Sequence, residues 1–266
     1  MQTRLTVSSI RALAVGLLLF GAASARGQMF VFDFSTSDHS WIPDVQGGSG
    51  DINSPIGPFQ WGTPSGGGGN AWFTDGVNNL TTGNWSIKTL TSPAMTVLND
   101  GSVGVTLTHR FKFEVDLDEG LFNDGGQLRY RVNQGVWTLA IGFSGVGYNA
   151  TQIEAFDLAG ESDVDGWGGT SFRFGSGNLV TSTVMIPGLT AGSLLELELR
   201  GAWNSSISAS GPDWVIKQVE VTNVVPEPRV YGVACAVGLL GYGLWRRVRR
   251  DRPSPKARST RPTATP

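Results

Sequence analysis

The 266-residue chain has one cysteine and two histidines, and only 16% of its residues are charged. Each scarcity removes a class of protein. A disulfide-stapled scaffold needs paired cysteines, and a thiolate metal site needs several. Two histidines, His39 and His109, do not supply a three-histidine zinc site. A coiled coil needs far more Glu, Lys, Leu and Ala. The 37 glycines follow no three-residue period, which excludes collagen. There is no Gly-x-Ser-x-Gly elbow, no His-Glu-x-x-His and no phosphate loop. What the chain does have is glycine at about twice average usage, with 9 Trp and 13 Phe. That aromatic load is inconsistent with full disorder.

Both ends read as addresses. Residues 1–25 carry Arg4 and Arg11, then an apolar stretch from Ala12 to Ala22, then the small-x-small pattern Ala23-Ser24-Ala25. This predicts an export signal that is removed before Arg26. At the other end, Val225-Pro226-Glu227-Pro228 precedes an apolar run from Val230 to Trp245 and the cluster Arg246, Arg247, Arg249 and Arg250. A helix over 230–245 rises about 24 Å, slightly short of a hydrocarbon core of about 30 Å. Snorkelling arginine stems make up the difference. The pattern predicts one transmembrane helix, with the arginines in the cytoplasm and the preceding domain outside. Residues 251–266 form a basic Pro/Ser/Thr tail.

This order of features resembles the PEP-CTERM sorting signal, over residues 225–250. The resemblance implies an exported protein of a Gram-negative, exopolysaccharide-making bacterium, handled by an exosortase-type sorting enzyme. Such a protein is first a precursor anchored in the inner membrane and then a cell-surface or secreted protein. The tail beyond Arg250 departs from the pattern, which usually stops just after the arginines.

Charge divides along the same lines. Residues 26–228 hold 21 acidic and 9 basic side chains, a net of −12, whereas residues 246–261 hold eight basic side chains and one acid. So acidic a domain argues against a nucleic-acid partner. It suits extracellular life and divalent cations. Cys235 lies in the apolar span, so the domain has neither a cysteine nucleophile nor a disulfide.

Between the addresses, residues 26–224 suffice to bury a core without a staple. Strand signals dominate. Alternation is clearest at Val103–Val115, Gln127–Val132, Leu195–Arg200 and Trp214–Val221, with further strands at Met29–Phe34 and Ala94–Leu98. Weaker candidates are Ser171–Phe174 and Leu179–Ile186. One apolar and one polar face is the mark of antiparallel sheets with a single covered side. The prediction is an all-β domain, a β-sandwich or jelly roll. Residues 35–92 read as loop-heavy, and Asn123-Asp124-Gly125-Gly126 reads as a tight turn with glycine at positive φ.

A second resemblance covers residues 103–223. The strand 107–115, the turn 123–126, the strand 127–132, Gly135-Val136-Trp137, Trp167-Gly168-Gly169-Thr170-Ser171 and the final strand Asp213–Val221 together resemble a MAM or concanavalin-like adhesion jelly roll. Such domains commonly mediate adhesion or accompany enzymes, and some bind calcium. Lys217-Gln218 stands where the pattern usually carries an acidic pair.

Three kinds of chemistry remain for the domain. Two acidic loops, with Asp116, Asp118 and Glu119 in one and Asp163 and Asp165 in the other, read either as solvated turns or as a Ca²⁺ site built on carboxylates and carbonyls. Trp41, Trp61, Trp72, Trp85, Trp167 and Trp203 lie in segments read as loops, where an indole either stacks on a sugar ring or plugs the end of a sandwich. Glu196 and Glu198 share a strand face with Arg200. That spacing fits a solvated sheet face, or else the two carboxylates of a glycoside hydrolase. The reading favoured is a non-enzymatic surface or matrix protein that binds exopolysaccharide or neighbouring surface proteins. The alternatives are a purely structural surface protein and a carbohydrate-active or other hydrolase.

Overall fold

Strands form where apolar and polar residues alternate, and also in places where they do not. The computed structural model describes residues 28–47, 58–75, 85–116, 120–204 and 212–226. The expected export signal, apolar span, arginine cluster and tail lie outside the described residues, as do Asp118, Glu119, Glu227 and Pro228. In chain order the strands are β1 (Met29–Asp33), β2 (Ile42–Gly47), β3 (Gln60–Gly62), β4 (Ala71–Asp75), β5 (Ser86–Thr91), β6 (Met95–Val97), β7 (Gly101–Phe111), β8 (Val115–Asp116), β9 (Leu121–Phe122), β10 (Gly125–Val132), β11 (Thr138–Leu139), β12 (Ser144–Gly145), β13 (Val180–Leu189), β14 (Leu194–Trp203), β15 (Pro212–Thr222) and β16 (Val224–Pro226). A short helix, α1 (Glu154–Leu158), and a 3-10 turn at Phe174–Ser176 interrupt them.

Two antiparallel sheets make the sandwich. The first has the order β12-β13-β7-β15-β4-β3, with β1 also on β15; the second has the order β11-β10-β14-β5-β2, with β6 joining β14 to β16. The inner faces meet in one aromatic-rich core. β7 contributes Val103, Val105, Leu107 and His109, β15 contributes Trp214, Ile216, Val219 and Val221, and β14 answers with Leu195, Leu197 and Leu199. Each fully buried aliphatic or Phe side chain of this kind contributes about 1.5–3 kcal/mol.

Several local expectations change. The region 35–92 holds four strands, β2 to β5. The long strand expected over 103–115 leaves the sheet after Phe111. There the Phe113 amide donates to the Gly169 carbonyl at 2.8 Å, so a crossing segment takes over the pairing. Ser171–Phe174 is not a strand; Phe174 opens the 3-10 turn. Gly125 and Gly126 begin β10 and do not take positive φ. They are required for packing: a Cβ at 125 would lie 2.2 Å from Cδ1 of Ile153, and one at 126 would lie 2.9 Å from Cζ3 of Trp214.

On the face carrying Glu196, Glu198 and Arg200, the latter two are buried and Glu196 is partly so. Helix α1 lies over the far end of this face, where Ile87, Ala202, Ile153 and Phe156 form a second small core. Arg131 grips Glu196 with two hydrogen bonds of 2.8 and 2.9 Å, Arg129 sits 3.8 Å from Glu198, and buried Arg200 pairs with Glu161. Burial raises the Glu198 carboxyl pKa against the pull of these arginines. This face is an ionic layer, partly exposed at Arg131 and Glu196 and covered by α1 at its far end.

At the chain's other boundary, Val224 is buried, and β16 pairs Val225 with Thr96 and Pro226 with Met95. The folded unit therefore extends through Pro226, two residues into the Val-Pro-Glu-Pro motif. An edge strand tolerates the proline, which lacks only a donor. No helix among the described residues is long and apolar enough to cross a membrane. A chain ending at Asn223 is expected to be less stable than one ending at Pro226 by about 2 kcal/mol, from the lost burial of Val224. Urea denaturation of the two fragments measures the difference.

His109 is a buried core histidine. Trp214 Nε1–H donates to its Nδ1 at 3.0 Å, so its own proton resides on Nε2, which faces Ser182 Oγ at 2.9 Å. Ser182 in turn donates to the Val146 carbonyl. Desolvation pushes the imidazole pKa down to about 3 from an ordinary 6.5. Below pH 6.5 the unfolded chain takes up a proton that the fold refuses, so His109 lowers stability as pH falls from 6.5 towards 3. His109→Gln keeps an acceptor and a donor. Its denaturation midpoint should fall less between pH 7 and 4.5 than that of the wild type.

Candidate ligand-binding cleft

The two sheets expose different outer faces. That of the second is closed by α1 and the ionic layer. That of the first is polar and, among the described residues, carries no covering helix. Register places Arg110 opposite Val215, and Val215 opposite Phe73, all on this outer face. The next positions are hydroxyl-bearing. Thr108 lies opposite both Thr181 and Gln218, and Thr106 lies opposite Thr183, with 3.0 Å between the two hydroxyls.

Beside this row is a cleft of about 230 Å³, floored by Ala71 and Val215 and holding two cations, Arg110 and Lys217. One wall is the β3–β4 loop. Gly66, Gly67, Gly68 and Gly69 all have positive φ, between 71° and 99°, a run that L-residues do not follow. Thr63 Oγ1 bonds Asn70 Oδ1 at 2.9 Å and closes the base of the loop. Lys217 holds its lip: the ammonium donates to the carbonyls of Gly68 at 2.8 Å and Asn70 at 2.6 Å. Lys217 reaches them because it is the extra residue of a β-bulge. Ile216 pairs with His109 and Gln218 with Thr108, which leaves Lys217 unopposed.

The other wall is the segment before β13. The amide of Ser171 donates to the Phe111 carbonyl at 2.8 Å, and the Ser171 hydroxyl accepts from the Phe111 amide at 3.0 Å. The chain then turns through Arg173 at φ 53° and Gly177 at φ 76°. Phe174 sets its ring 5.3 Å from the Arg110 guanidinium. Phe172, two residues earlier, is 68% exposed.

Arg110 differs in kind from the other buried cations. It is 6% exposed, and its guanidinium has no ion pair and no hydrogen bond to any described residue. Burial lowers its pKa, with no carboxylate opposing that shift. Nε is buried without a partner, while the terminal nitrogens border both glycine walls. A Cβ at Gly66 would lie 3.9 Å from Nη2, and one at Gly177 would lie 3.0 Å from Nη1. Lys217, by contrast, shares its field with Asp33, whose carboxyl is held low mainly by hydrogen bonds from Ser35, with Lys217 adding to the effect.

No protein-family model matches the chain, and no curated protein matches it in sequence. Solved structures do. One is the C-terminal CBM6 of LamC, a laminarinase from Zobellia galactanivorans: 14% identity, 73% of this chain and 99% of that one covered, TM-score 0.33. Another is the cleaved adhesin domain of Lys-gingipain from Porphyromonas gingivalis: 14% identity, 73% and 98% covered, TM-score 0.37. A third is latent PorU from the same organism: 12% identity and TM-score 0.22, with 77% of this chain matching 14% of that one. Likeness this distant carries no argument about function.

Most of the indoles read as possible sugar contacts are buried, and none lines the cleft. Trp41 packs edge-on against Phe32 and Phe34, at 5.3 and 5.5 Å. Trp72 lies on the inner face of β4, Trp167 packs edge-on against His109 at 4.7 Å, and Trp203 donates to Asp213 Oδ2 at 3.0 Å. All four are buried, so none offers a ring face to a sugar. Trp61 is 39% exposed and Trp85 is half-buried, but neither lines the cleft. Of the acidic loops, Asp118 and Glu119 lie outside the described residues. Asp116 is half-buried in β8, whereas Asp163 and Asp165 are exposed and offer their backbone carbonyls to Gln127 Nε2 at 2.7 and 2.8 Å. Among the described residues no three His, Cys, Asp or Glu side chains are grouped to hold a metal.

Neither Arg110 nor Lys217 was among the residues expected to meet a ligand. The available signals were Arg110 on the polar face of an alternating strand, Lys217 in place of an acid, and a four-glycine run. Replacing Lys217 by Met should release the loop. Amide hydrogen exchange at residues 66–70 is expected to quicken about tenfold or more, from the loss of two charge-assisted bonds.

Proposed function

We propose that the chain is an exported, non-catalytic binding module that attaches to polysaccharide at the cell surface. The observation that carries this reading is the open outer face of the first sheet, where a row of side-chain hydroxyls leads into a glycine-walled cleft. Sugars are bound by groups that exchange hydrogen bonds with many hydroxyls. Thr106, Thr108, Thr181, Thr183 and Gln218 supply such groups at fixed, strand-spaced positions. Sites on rigid strands hold their geometry better than sites on loops. Phe172 offers an exposed ring on the adjoining wall segment. A purely structural surface protein has no need of a cleft or of an unpaired guanidinium. The carboxylates Glu196 and Glu198, which the hydrolase alternative would use, are engaged with Arg131 and Arg129.

In the same reading residues 1–25 export the chain, and 225–250 sort it through an exosortase-type enzyme. The apolar run 230–245 anchors the precursor in the inner membrane until the protein reaches the surface or is secreted. The partner is exopolysaccharide of the producing cells. Co-sedimentation of the purified protein with that polysaccharide tests the reading, with calcium present and with excess chelator. Saturable binding is expected, and the Thr108→Val/Thr181→Val double variant, which keeps side-chain shape, should weaken it by about tenfold. Absence of binding by a protein shown to be folded would contradict the reading. Loss of binding in chelator would bring the acidic loops back as a calcium site.

A further inference from the structure

We infer that the cleft recognises an acidic saccharide, with Arg110 taking the oxyanion substituent in its guanidinium fork. The inference rests on the polysaccharide-binding reading and deepens it. Four observations converge. First, Arg110 is a buried cation with no described ion pair or hydrogen bond. Its Nε is buried without a partner and its terminal nitrogens border the cleft, so an oxyanion entering there meets donors that no described residue uses. Second, among the described residues no Asp or Glu lines the cleft to compete for the fork. Third, both walls are glycine where they approach the terminal nitrogens, which leaves room beside Nη1 and Nη2 for oxygen atoms. Fourth, the second cation, Lys217, is already committed to the loop lip. It keeps the wall in place, while the donors of Arg110 are used by no described residue.

Geometry favours this class of ligand over a neutral sugar. A planar guanidinium matches the two oxygens of a carboxylate, or two of the three oxygens of a sulfate ester, with parallel hydrogen bonds. A neutral hydroxyl fills only one of those donors and leaves the charge unmet. Phe174 covers one face of the guanidinium, so a ligand approaches its edge.

The acidic character of the domain does not prevent this. Lys217 is balanced locally by Asp33. Glu220 is opposite Thr106, four positions along β7 from Arg110, a separation of about 13 Å. At physiological ionic strength the screening length is about 8 Å, so distant carboxylates act weakly inside the cleft.

The test is calorimetric titration of the purified full-length protein with three probes: a galacturonate oligomer, a sulfated galactan oligomer and a neutral galactan oligomer. Binding of at least one charged probe about tenfold or more tighter than the neutral one is expected, weakening as salt is raised. A stronger response to galacturonate assigns a carboxylate, and a stronger response to the sulfated chain assigns a sulfate ester. Arg110→Met should lose that preference, and Arg110→Lys, which keeps charge without the fork, should fall between. Because the wild-type guanidinium is unpaired, Arg110→Met should also denature at the same or a higher urea concentration, which separates a ligand role from a structural one. Equal affinity for neutral and charged probes, or Arg110→Met binding like the wild type, overturns the inference and leaves polysaccharide binding standing. No binding to any probe or to the cells' own polysaccharide overturns both.

Discussion

β15 is hydrogen-bonded along both edges, to β7 on one side and to β4 and then β1 on the other, and this shared strand sets every position in the first sheet. Its inner side chains Trp214, Ile216, Val219 and Val221 anchor the core. The spacing from Ile216 to Val219 is three, not two, because the bulge at Lys217 resets the alternation. The same extra residue throws the lysine out to the glycine loop. One backbone irregularity therefore keeps the core in register and builds a wall of the cleft. Without the bulge, every inward residue beyond Ile216 would turn to solvent.

The two outer faces show how a sandwich assigns work to its surfaces. On the second sheet, Arg131, Arg129 and Arg200 are each matched with a glutamate, and α1 closes part of the layer. On the first sheet, Arg110 has a similarly low exposure but is matched by no described carboxylate. Paired buried ions contribute shape more than stability, since their attraction mostly offsets desolvation. An unpaired one is a standing cost to the fold. That contrast within one molecule is the physical reason to place recognition on the first sheet.

Much of the fold was legible in the sequence, because period-two alternation is a direct record of one wet and one dry face. Leu195–Arg200 and Trp214–Val221 show it plainly, and both became strands. β5 was not legible, because Ser86 to Leu90 are buried on both sides and the row includes Lys88. That lysine is buried beside Thr74 Oγ1 at 3.1 Å and over the Trp203 ring at 4.8 Å, a setting that only the assembled fold supplies. The tryptophans were misleading for a related reason. Trp72 and Trp203, read as loop residues, lie on strands, and at Gly201 glycine makes room for the Trp203 ring, 2.2 Å from where a Cβ would be. The cleft escaped notice because its parts are far apart in sequence, at 64–69, 110, 174–179 and 217, and meet only through strand register.

The central claim is that Arg110 waits for a ligand oxyanion. The most direct observation is the side-chain Nε–H resonance of Arg110 in a ¹⁵N-correlated NMR spectrum, followed as a galacturonate or sulfated galactan oligomer is added. The account predicts that this resonance shifts saturably, and that backbone amides of 66–69 and 177 move with it while those around Arg131 and Arg200 stay fixed. A saturable shift confined to some other surface, with the Arg110 signal unmoved, would contradict it.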